Sequence, residues 1–372
     1  MDWARSPFHR AHKGSLGEVR PDDLAAHVIK DLISRNEIEL SDFDDVLMGC
    51  GYPEAEQGYN IGRLVPFLAG FPDSVPGMTI NRLCGSSMQA VLSAAANIES
   101  GWGDCYLCAG VESMSRVKRR GFNWSPHPDL ELNWPEAYVT MGQTAENVAE
   151  EWGISRADQE AFALDSHMKA SAAREAGFFE DEIIQIVDGE GDITTDGCIR
   201  SDSTLEAMAT LKPVFSENGT VTAATSSPLT DGAVAMIVCS ERFAADRGLD
   251  PMATIIGGAI SGCSPRVMGI GPVEAVRKVL GRVGWDLDSV DLFELNEAFS
   301  SQALAVISDL ELDSDKVNLD GGAIAIGHPL GASGARITGK AASLLGRIDG
   351  KRAVATMCIG GGMGIAIALE RG

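Results

Sequence analysis

Residues 77 to 96 read GMTINRLCGSSMQAVLSAAA, and this stretch sets the class of the fold. An apolar run ends at Asn81 to Cys84, and from Gly85 onward Met, Ala and Val recur at helical spacing. A helix made of such small residues can lie deep in a core. The stretch therefore predicts a strand, a turn that carries Cys84, and a buried helix.

Alternating helices and strands are predicted on both sides of this stretch. An amphipathic helix begins at Pro21 and is followed by a short strand at about 45–51. The apolar runs that we interpret as further buried strands are 106–111, 233–239 and 253–260. This alternation is typical of an α/β protein.

The second half of the chain repeats the first in outline. The segments NRLCGSSMQA (81–90) and ATMCIGGGMGIA (355–366) each place a Cys and then small residues after an apolar run. Two βαβ-type halves that face one another would bring Cys84 and Cys358 together. Periodicity alone does not prove this arrangement.

A segment of different character separates the two halves. From Glu112 to Pro213 the sequence contains basic, aromatic and Pro-rich, and charged helical stretches in turn. We interpret it as an insertion. The predicted divisions are an N-terminal half at 1–115 plus 214–245, an inserted loop domain at 116–213, and a C-terminal half at 246–372.

The overall charge limits the partners of this 372-residue chain. Its formal charge of −23 disfavours nonspecific binding to nucleic acid or to an anionic membrane, because like charges repel. No apolar run reaches the roughly 18 residues that a membrane span needs. The eight cysteines show no compact pairing, which favours a reducing cytoplasm. Cys105 and Cys108 would face opposite sides of a strand, so we predict no metal site there.

Four segments carry residues suited to thiol chemistry. Cys84 begins a helix, whose dipole favours a thiolate, although a small buried residue is the alternative. His328 lies in the Gly-dense segment NLDGGAIAIGHPLGASGAR (318–336), where it could remove a thiol proton or be structural. Cys358 precedes Gly360, whose free N–H could stabilise an oxyanion. Asn296 ends an apolar run and could orient a water or cap a helix starting near Glu297.

Together these segments resemble the thiolase family, whose motifs are N-R-x-C-x-S, N-E-A-F, G-G-x-x-x-x-G-H-P and C-x-G-x-G. All four occur here in the family's order, and the resemblance covers nearly the whole chain. The stretches at 74–90 and 141–167 are most similar to the 3-ketoacyl-CoA thiolases of fatty-acid β-oxidation. The resemblance implies a thiolase-like α/β fold with two similar βαβαβαββ halves, five layers (αβαβα) and an inserted loop domain.

The resemblance also implies roles for individual residues. Cys84 would carry the acyl group, His328 would take its proton, and Cys358 would protonate the departing acetyl-CoA carbanion and later deprotonate coenzyme A. Oxyanions would be stabilised by Asn296 through a water with His328, and by the N–H groups of Cys84 and Gly360. The residues that match coenzyme A and acyl-chain positions of the family are Arg200, Phe215, Ser227, Met141 and Phe299. Without the family, a solvated arginine and a helix-capping serine would be the interpretations of Arg200 and Ser227.

The sequence leaves alternative functions open. Thr140 stands where many biosynthetic acetoacetyl-CoA thiolases carry His, which favours degradative use over condensation of two acetyl-CoA. A decarboxylating condensing enzyme of the same fold and a noncatalytic acyl-CoA-binding protein are the other candidates. The family implies coenzyme A as co-substrate, no permanently bound cofactor, a cytoplasmic homodimer or homotetramer, and a multifunctional β-oxidation subunit as a further partner. The opening at Asp2 to Pro7 departs from the family's usual first strand, so we expect a truncated or misplaced start.

Overall fold

The computed structural model describes residues 2–36, 38–188 and 191–372. Met1, Glu37, Gly189 and Glu190, which fall within the predicted domains, lie outside the described residues. The strands are β1 (Trp3–Arg5), β2 (His9–Arg10), β3 (Asp45–Gly49), β4 (Gly77–Ile80), β5 (Cys105–Ser113), β6 (Ile186–Asp188), β7 (Gly191–Ile193), β8 (Thr230–Cys239), β9 (Thr254–Gly262), β10 (Leu292–Leu295), β11 (Arg352–Ile359) and β12 (Met363–Glu370). The α-helices are α1 (Pro21–Ser34), α2 (Ile61–Ala69), α3 (Ser86–Glu99), α4 (Pro128–Asn133), α5 (Met141–Glu151), α6 (Arg156–Glu175), α7 (Leu205–Ala209), α8 (Glu241–Arg247), α9 (Gly271–Val283), α10 (Ser300–Asp309), α11 (Ala323–Ile326) and α12 (Leu330–Arg347).

The elements predicted around the opening stretch are confirmed. Helix α1 begins with Pro21, whose missing N–H is harmless in a first turn, and Asp22 and Asp23 follow where acidic groups suit the helix dipole. Strand β4 ends at Ile80 and α3 begins at Ser86, so Cys84 lies in the turn between them. The predicted strands after Glu99 also form, and β5 is buried along its whole length.

The first half forms a mixed sheet in the order β1-β8-β5-β3-β4, with β2 pairing with β8. Strand β3 is parallel to β4 and β5, whereas β8 is antiparallel to β5 and β1. Parallel strands need helical crossovers, which α2 and α3 supply. The carboxyl ends of β3, β4 and β5 therefore lie at one edge of the sheet, next to the Cys84 turn.

The second half repeats this arrangement. Its sheet has the order β10-β11-β12-β9, with β10 parallel to β11, and β12 antiparallel to both β11 and β9. A parallel bridge between Phe293 and Val317 stands where the first half has β4. Both halves thus follow βαβαβαββ, with the third strand of the second half reduced to one bridge. The prediction of two similar halves is confirmed.

Helices α3 and α12 pack against each other between the two sheets, while α1 and α2 cover the first sheet and α9 and α10 cover the second half's outer side. The result is the predicted αβαβα layering. Glycines on α12 allow the close packing: a Cβ on Gly331 would lie 2.4 Å from the Val111 carbonyl oxygen, and one on Gly334 would lie 2.5 Å from the Met88 nitrogen. Larger residues there would push the central helices apart.

The two similar cysteine segments do not occupy corresponding places in the two halves. Cys84 precedes α3, but the element equivalent to α3 is α12, which follows His328. Cys358 lies near the end of β11, which corresponds to β5. The cysteine segments look alike because both leave a strand through small residues, although one leads into a helix and the other into an antiparallel strand.

The segment between β5 and β8 holds α4 to α7 and the two-stranded β6–β7 sheet, and its described residues add no strand to either large sheet. The boundaries of the loop domain at 116–213 stay a prediction. Cys105 and Cys108 face different cores on the two sides of β5, as their spacing predicts. In the described ranges, no helix is long and apolar enough to cross a membrane, and no group of three His, Cys, Asp or Glu side chains could hold a metal ion.

Candidate active site

The turn that carries Cys84 is held by side chains on both sides of it. Leu83 has a φ of 45°, an unusual value for a residue with a side chain. Its N–H donates to Asn81 Oδ1 at 2.8 Å, and its carbonyl accepts from Ser86 Oγ at 2.5 Å. The Arg82 N–H donates to the same Ser86 hydroxyl at 3.0 Å. These bonds keep the strained backbone in place immediately before the cysteine.

The Cys84 thiol is half-buried, and the backbone N–H groups of Gly360 and of Cys84 itself lower its pKa. Burial nevertheless raises the pKa of Cys84 to about 11. The Gly360 N–H opposes this effect, and the charge of Glu112 adds to it by less than that N–H takes away. The helix start therefore does not make Cys84 a thiolate by itself, because burial has the larger effect. The thiol is protonated at neutral pH.

His328 lies immediately before Pro329, the N-cap residue of α12, and is 6% exposed. Its ring Nδ1 is 2.6 Å from Ser333 Oγ, and the Ser333 hydroxyl donates to the Pro329 carbonyl at 2.9 Å. Because the single hydroxyl proton goes to Pro329, Nδ1 must carry the proton that it donates to Ser333. The other ring nitrogen, Nε2, then carries no proton and is the acceptor of the ring.

The charge state of His328 agrees with this tautomer. Burial, followed by the positive charge of Arg336, lowers the pKa of His328 to about 3, so the ring is neutral at physiological pH. The backbone is fixed as well, since the His328 N–H donates to Thr230 Oγ1 at 3.0 Å. A neutral imidazole with an unprotonated Nε2 is the form that a general base needs.

Asn296 follows β10 and projects toward the histidine. Its Nδ2 is 3.5 Å from His328 Nε2, at the outer limit of a hydrogen bond. Its Oδ1 is buried and has no hydrogen-bond partner among the described residues. The helix-cap alternative is wrong, because the next helix begins at Ser300 with Phe299 as its N-cap residue. An unpaired buried amide oxygen is suited to hold a water or a polar substrate group.

Cys358, near the end of β11, is 1% exposed. Burial raises the pKa of Cys358 well above its ordinary value, and the neighbouring Cys84 is the next cause, so the two sulfurs share one site. Gly361 and Gly362 have φ values of 83° and 85°, which a turn made of glycine accommodates. This turn brings the N–H of Gly360 to the Cys84 sulfur.

An apolar group of residues adjoins the cysteines. Phe299 and Cys358 belong to one buried cluster, against which Met141 and Phe215 pack. The rings of Phe215 and Phe299 are 6.0 Å apart and nearly perpendicular. Ser227 joins the same region by donating both its N–H and its hydroxyl to the Ala298 carbonyl, at 3.0 Å each. Ser227 therefore ties two loops together and does not cap a helix.

Arg200 lies apart from this group. Its side chain is exposed, and its backbone N–H donates to His167 Nδ1 at 3.2 Å. Cys84, Cys358 and Gly360 thus lie together, and Asn296 with His328 lies at the end of the adjacent strand β10. Met141, Phe215 and Phe299 pack in the cluster of Cys358, and Ser227 bonds to the Ala298 carbonyl in the same cluster. The roles assigned to all of these residues, and to Arg200, stay predictions.

Two residues at the site were missed by sequence reasoning. Ser333 fixes the tautomer of His328 from five positions along the chain, and its presence in the quoted Gly-dense segment was the available signal. Glu112 is completely buried beside the Cys84 turn and accepts hydrogen bonds from several loops. Its position at the end of an apolar strand was visible, but its partners were not.

Two family models match almost the whole chain. Residues 1–242 match the family model described as thiolase, N-terminal domain, and residues 249–371 match that of the thiolase C-terminal domain. A 3-ketoacyl-CoA thiolase of Bacillus subtilis is 43% identical over 380 residues, covering 99% of this chain and 97% of that protein. A 3-ketoacyl-CoA thiolase of Cronobacter sakazakii is 46% identical over 382 residues, covering 100% and 98%.

A solved structure is similar along almost the entire chain. The crystal structure of the Bacillus anthracis acetyl-CoA acetyltransferase superimposes with a TM-score of 0.90 at 38% sequence identity. The match covers 99% of this chain and 97% of that one. The names of these similar proteins include both a ketoacyl thiolase and an acetyltransferase.

Proposed function

Because this chain belongs to the thiolase family, we propose that it cleaves 3-ketoacyl-CoA with free coenzyme A, giving acetyl-CoA and a shortened acyl-CoA. The reaction would serve fatty-acid β-oxidation. The proposal rests on the site that Cys84 shares with Cys358. Asn296 follows β10, the strand next to that of Cys358, and its Nδ2 lies 3.5 Å from Nε2 of His328, a neutral imidazole. Thiolysis needs one thiol to carry the acyl group and another acid–base group to move protons.

The first half-reaction begins with proton transfer from the Cys84 thiol to His328 Nε2. The thiolate attacks C3 of the 3-ketoacyl-CoA, and the bond between C2 and C3 then breaks. Cys358 gives its proton to C2 of the departing acetyl-CoA carbanion. This leaves an acyl thioester on Cys84 and a thiolate on Cys358. Since burial favours both thiols in their neutral forms, the transfer of the Cys84 proton to His328 is a necessary part of the attack.

The second half-reaction returns the protons. The Cys358 thiolate removes the thiol proton of coenzyme A, whose sulfur attacks the acyl carbon on Cys84. The Cys84 thiolate leaves and regains its proton from His328. Oxyanions would be stabilised at one position by His328 and a water on Asn296 Oδ1, and at the other by the N–H groups of Cys84 and Gly360.

We propose that coenzyme A enters beside the apolar group that contains Phe215, Phe299 and Met141, where its pantetheine arm would lie against the rings. Ser227 would contact the same arm, and the exposed Arg200 would contact the nucleotide phosphates. An anionic ligand of a chain with charge −23 needs such a local positive group. The coenzyme acts as co-substrate in this scheme, and no permanently bound cofactor has a role in it.

Condensation of two acetyl-CoA is the second candidate function. The similarity to the Bacillus anthracis acetyl-CoA acetyltransferase favours it, whereas Thr140, at the place of a histidine in many biosynthetic thiolases, favours degradation. Thiolases catalyse the same bond change in both directions, so chain-length preference is the useful measurement. We also propose that the protein is cytoplasmic and forms a homodimer or homotetramer, with a multifunctional β-oxidation subunit as a further partner.

A series of kcat/KM values for thiolysis of 3-ketoacyl-CoA substrates from four carbons upward tests the proposal. We expect thiolysis of acetoacetyl-CoA and higher kcat/KM for longer substrates. A preference for the four-carbon substrate together with efficient condensation would favour the biosynthetic function. Binding of acyl-CoA without any turnover would leave only the noncatalytic function.

A further inference from the structure

We propose that Glu112 is a positioning residue that sets the Cys84 turn and the His328 segment relative to each other. This role rests on the proposed function, since it concerns the distance between the nucleophile and its base. Glu112 is the penultimate residue of β5, is 0% exposed, and touches neither the Cys84 sulfur nor the imidazole through a hydrogen bond. Its effect on the reaction would pass through the backbone that it holds.

The Glu112 carboxylate accepts hydrogen bonds from three separate parts of the chain. Oε2 accepts from the Gly51 N–H at 2.7 Å and from the Gly331 N–H at 3.0 Å. Oε1 accepts from the Tyr52 N–H at 3.2 Å and from Gln57 Nε2 at 2.8 Å. The Cys50 thiol is a fifth donor, 3.9 Å from Oε1. Because five donors point at two oxygens, the group acts as an acceptor, which is the role of the ionised form. Burial raises the pKa of Glu112, and these hydrogen bonds oppose that effect.

One branch of this network leads to the base. Gly331 is the second residue of α12, and its N–H is one of the unsatisfied donors that every helix start presents. The N-cap residue, Pro329, makes no side-chain capping bond. The Glu112 carboxylate therefore caps α12 from another strand, where its negative charge also suits the helix dipole. This bond holds the first turn of α12 at Gly331, three residues after His328.

The other branch leads to the nucleophile. The Gly51 carbonyl accepts from Asn81 Nδ2 at 3.1 Å, and Asn81 Oδ1 accepts the Leu83 N–H at 2.8 Å. Leu83 is the strained residue immediately before Cys84. The carboxylate and Asn81 thus join the loop after β3 to the Cys84 turn. A loss of either would let the turn move relative to His328.

The charge of Glu112 itself works against the thiolate. Its carboxylate raises the pKa of Cys84, after the larger effect of burial. The other titratable groups of the site are neutral at physiological pH, since Cys358 and Tyr52 have raised pKa values and His328 has a lowered one. A carboxylate beside a thiol that must ionise is electrostatically unfavourable, which makes hydrogen-bonded geometry the physical reason for its presence.

The test compares wild-type protein with Glu112→Gln and with Asp44→Asn as matched control. Asp44 also accepts two backbone N–H groups, those of Asp104 and Cys105, but at the opposite end of β5. In Glu112→Gln, an amide NH₂ replaces one acceptor, so kcat/KM for thiolysis should fall about 100-fold through misplacement of the reacting groups. The control should stay within about twofold of wild type. A Glu112→Gln value within about threefold of wild type, or an equal loss in the control, would overturn the proposal.

A second readout needs no substrate. Alkylation of Cys84 by iodoacetamide, followed by peptide mass mapping between pH 7 and 12, reports the thiolate fraction. The neutral Glu112→Gln side chain should lower the midpoint by roughly 0.5 to 1 pH unit. Greater exposure of Cys84 alone would raise its alkylation rate at high pH without changing the pH midpoint of alkylation. An unchanged midpoint in Glu112→Gln would contradict the assigned charge effect. If wild-type protein fails to thiolyse any substrate, the proposed function fails while this readout still tests Glu112.

Asn81→Ala covers the case in which Glu112→Gln does not fold. Asn81 is exposed, so its replacement should leave the unfolding temperature near that of wild type. The same network predicts a fall in kcat of about tenfold, because the Leu83 N–H loses its acceptor. Wild-type kcat in Asn81→Ala would overturn the proposed connection to the nucleophile.

Discussion

Helices α3 and α12 occupy equivalent places in the two halves, and the residue before each N-cap position is Cys84 in one and His328 in the other. Their surroundings differ. Cys84 is half-buried in a turn with a strained Leu83, whereas His328 is buried and its ring is fixed by Ser333. One repeated scaffold thus provides two similar positions, and local hydrogen bonds give one a nucleophile that substrate can reach and the other a base of fixed tautomer.

Removal of the base at the second helix start should have the largest effect on kcat/KM. In His328→Ala the Cys84 thiol keeps its high pKa and loses its proton acceptor, so kcat/KM should fall by about 10³- to 10⁴-fold. Stopped-flow or coupled thiolysis assays measure the change. The exposed His27→Ala on α1 serves as control. Comparable losses of kcat/KM in both variants, or a His328→Ala enzyme with nearly wild-type kcat/KM, would show that His328 is not the base.

Cys358 lies on strand β11 and not at a helix start, so its removal tests a separate contribution of the second half. Cys358→Ala should still acylate slowly on Cys84, while exchange and condensation fall by about 10²- to 10³-fold because no thiol protonates the carbanion. Hydrogen–deuterium exchange at C2 of acetyl-CoA reports that step. Cys108→Ala, a buried thiol on the corresponding strand β5, should exchange normally. Undiminished exchange in Cys358→Ala would end its acid–base assignment.

The fixed tautomer of His328 is a smaller contribution. Ser333→Ala removes the acceptor of the Nδ1–H, so kcat should fall about tenfold and the pH profile should change shape. Ser343→Ala on the same helix loses a comparable bond, from the Trp3 ring N–H, without contact to the site. A profile shared by both serine variants would mean that only α12 stability is involved.

The smallest expected effect concerns a residue outside both helix starts. Arg200→Ala should raise the KM for coenzyme A by about two- to fivefold with kcat unchanged, because an exposed charge adds little to binding. Thiolysis at varied coenzyme A concentration gives both constants. Dephospho-coenzyme A serves as the matched probe. With this probe, the KM values of wild type and Arg200→Ala should be nearly equal. An unchanged KM would remove Arg200 from the coenzyme site.

The motifs predicted much of this arrangement from sequence. The strand, turn and helix around Cys84 follow from local periodicity, and the order of four motifs led to the family and its layered fold. The likeness of the two cysteine segments shows the limit of such patterns, because Cys84 precedes α3 whereas Cys358 lies on β11. Strand order and direction, which reveal that α12 corresponds to α3, depend on contacts between segments far apart in the chain.

The chemistry of individual groups was less accessible from sequence. A helix start predicts a lowered pKa for Cys84, but the extent of burial, which reverses the direction, is a property of the packed core. Glu112 caps a helix whose first turn is 219 residues away along the chain. Local motifs do not contain such partners, because hydrogen bonds of this kind exist only after both halves have packed together.

Peptide mass mapping of the acyl-enzyme tests most directly whether the two halves form one site with Cys84 as the acyl carrier. Wild-type protein would be mixed with a 3-ketoacyl-CoA, quenched in acid and digested, alongside Cys84→Ala and the half-buried control Cys239→Ala. We expect the acyl group on the Cys84 peptide in wild type and in Cys239→Ala, and no adduct or turnover in Cys84→Ala. A normal acyl adduct on Cys84→Ala, on Cys358 or elsewhere, would contradict the account.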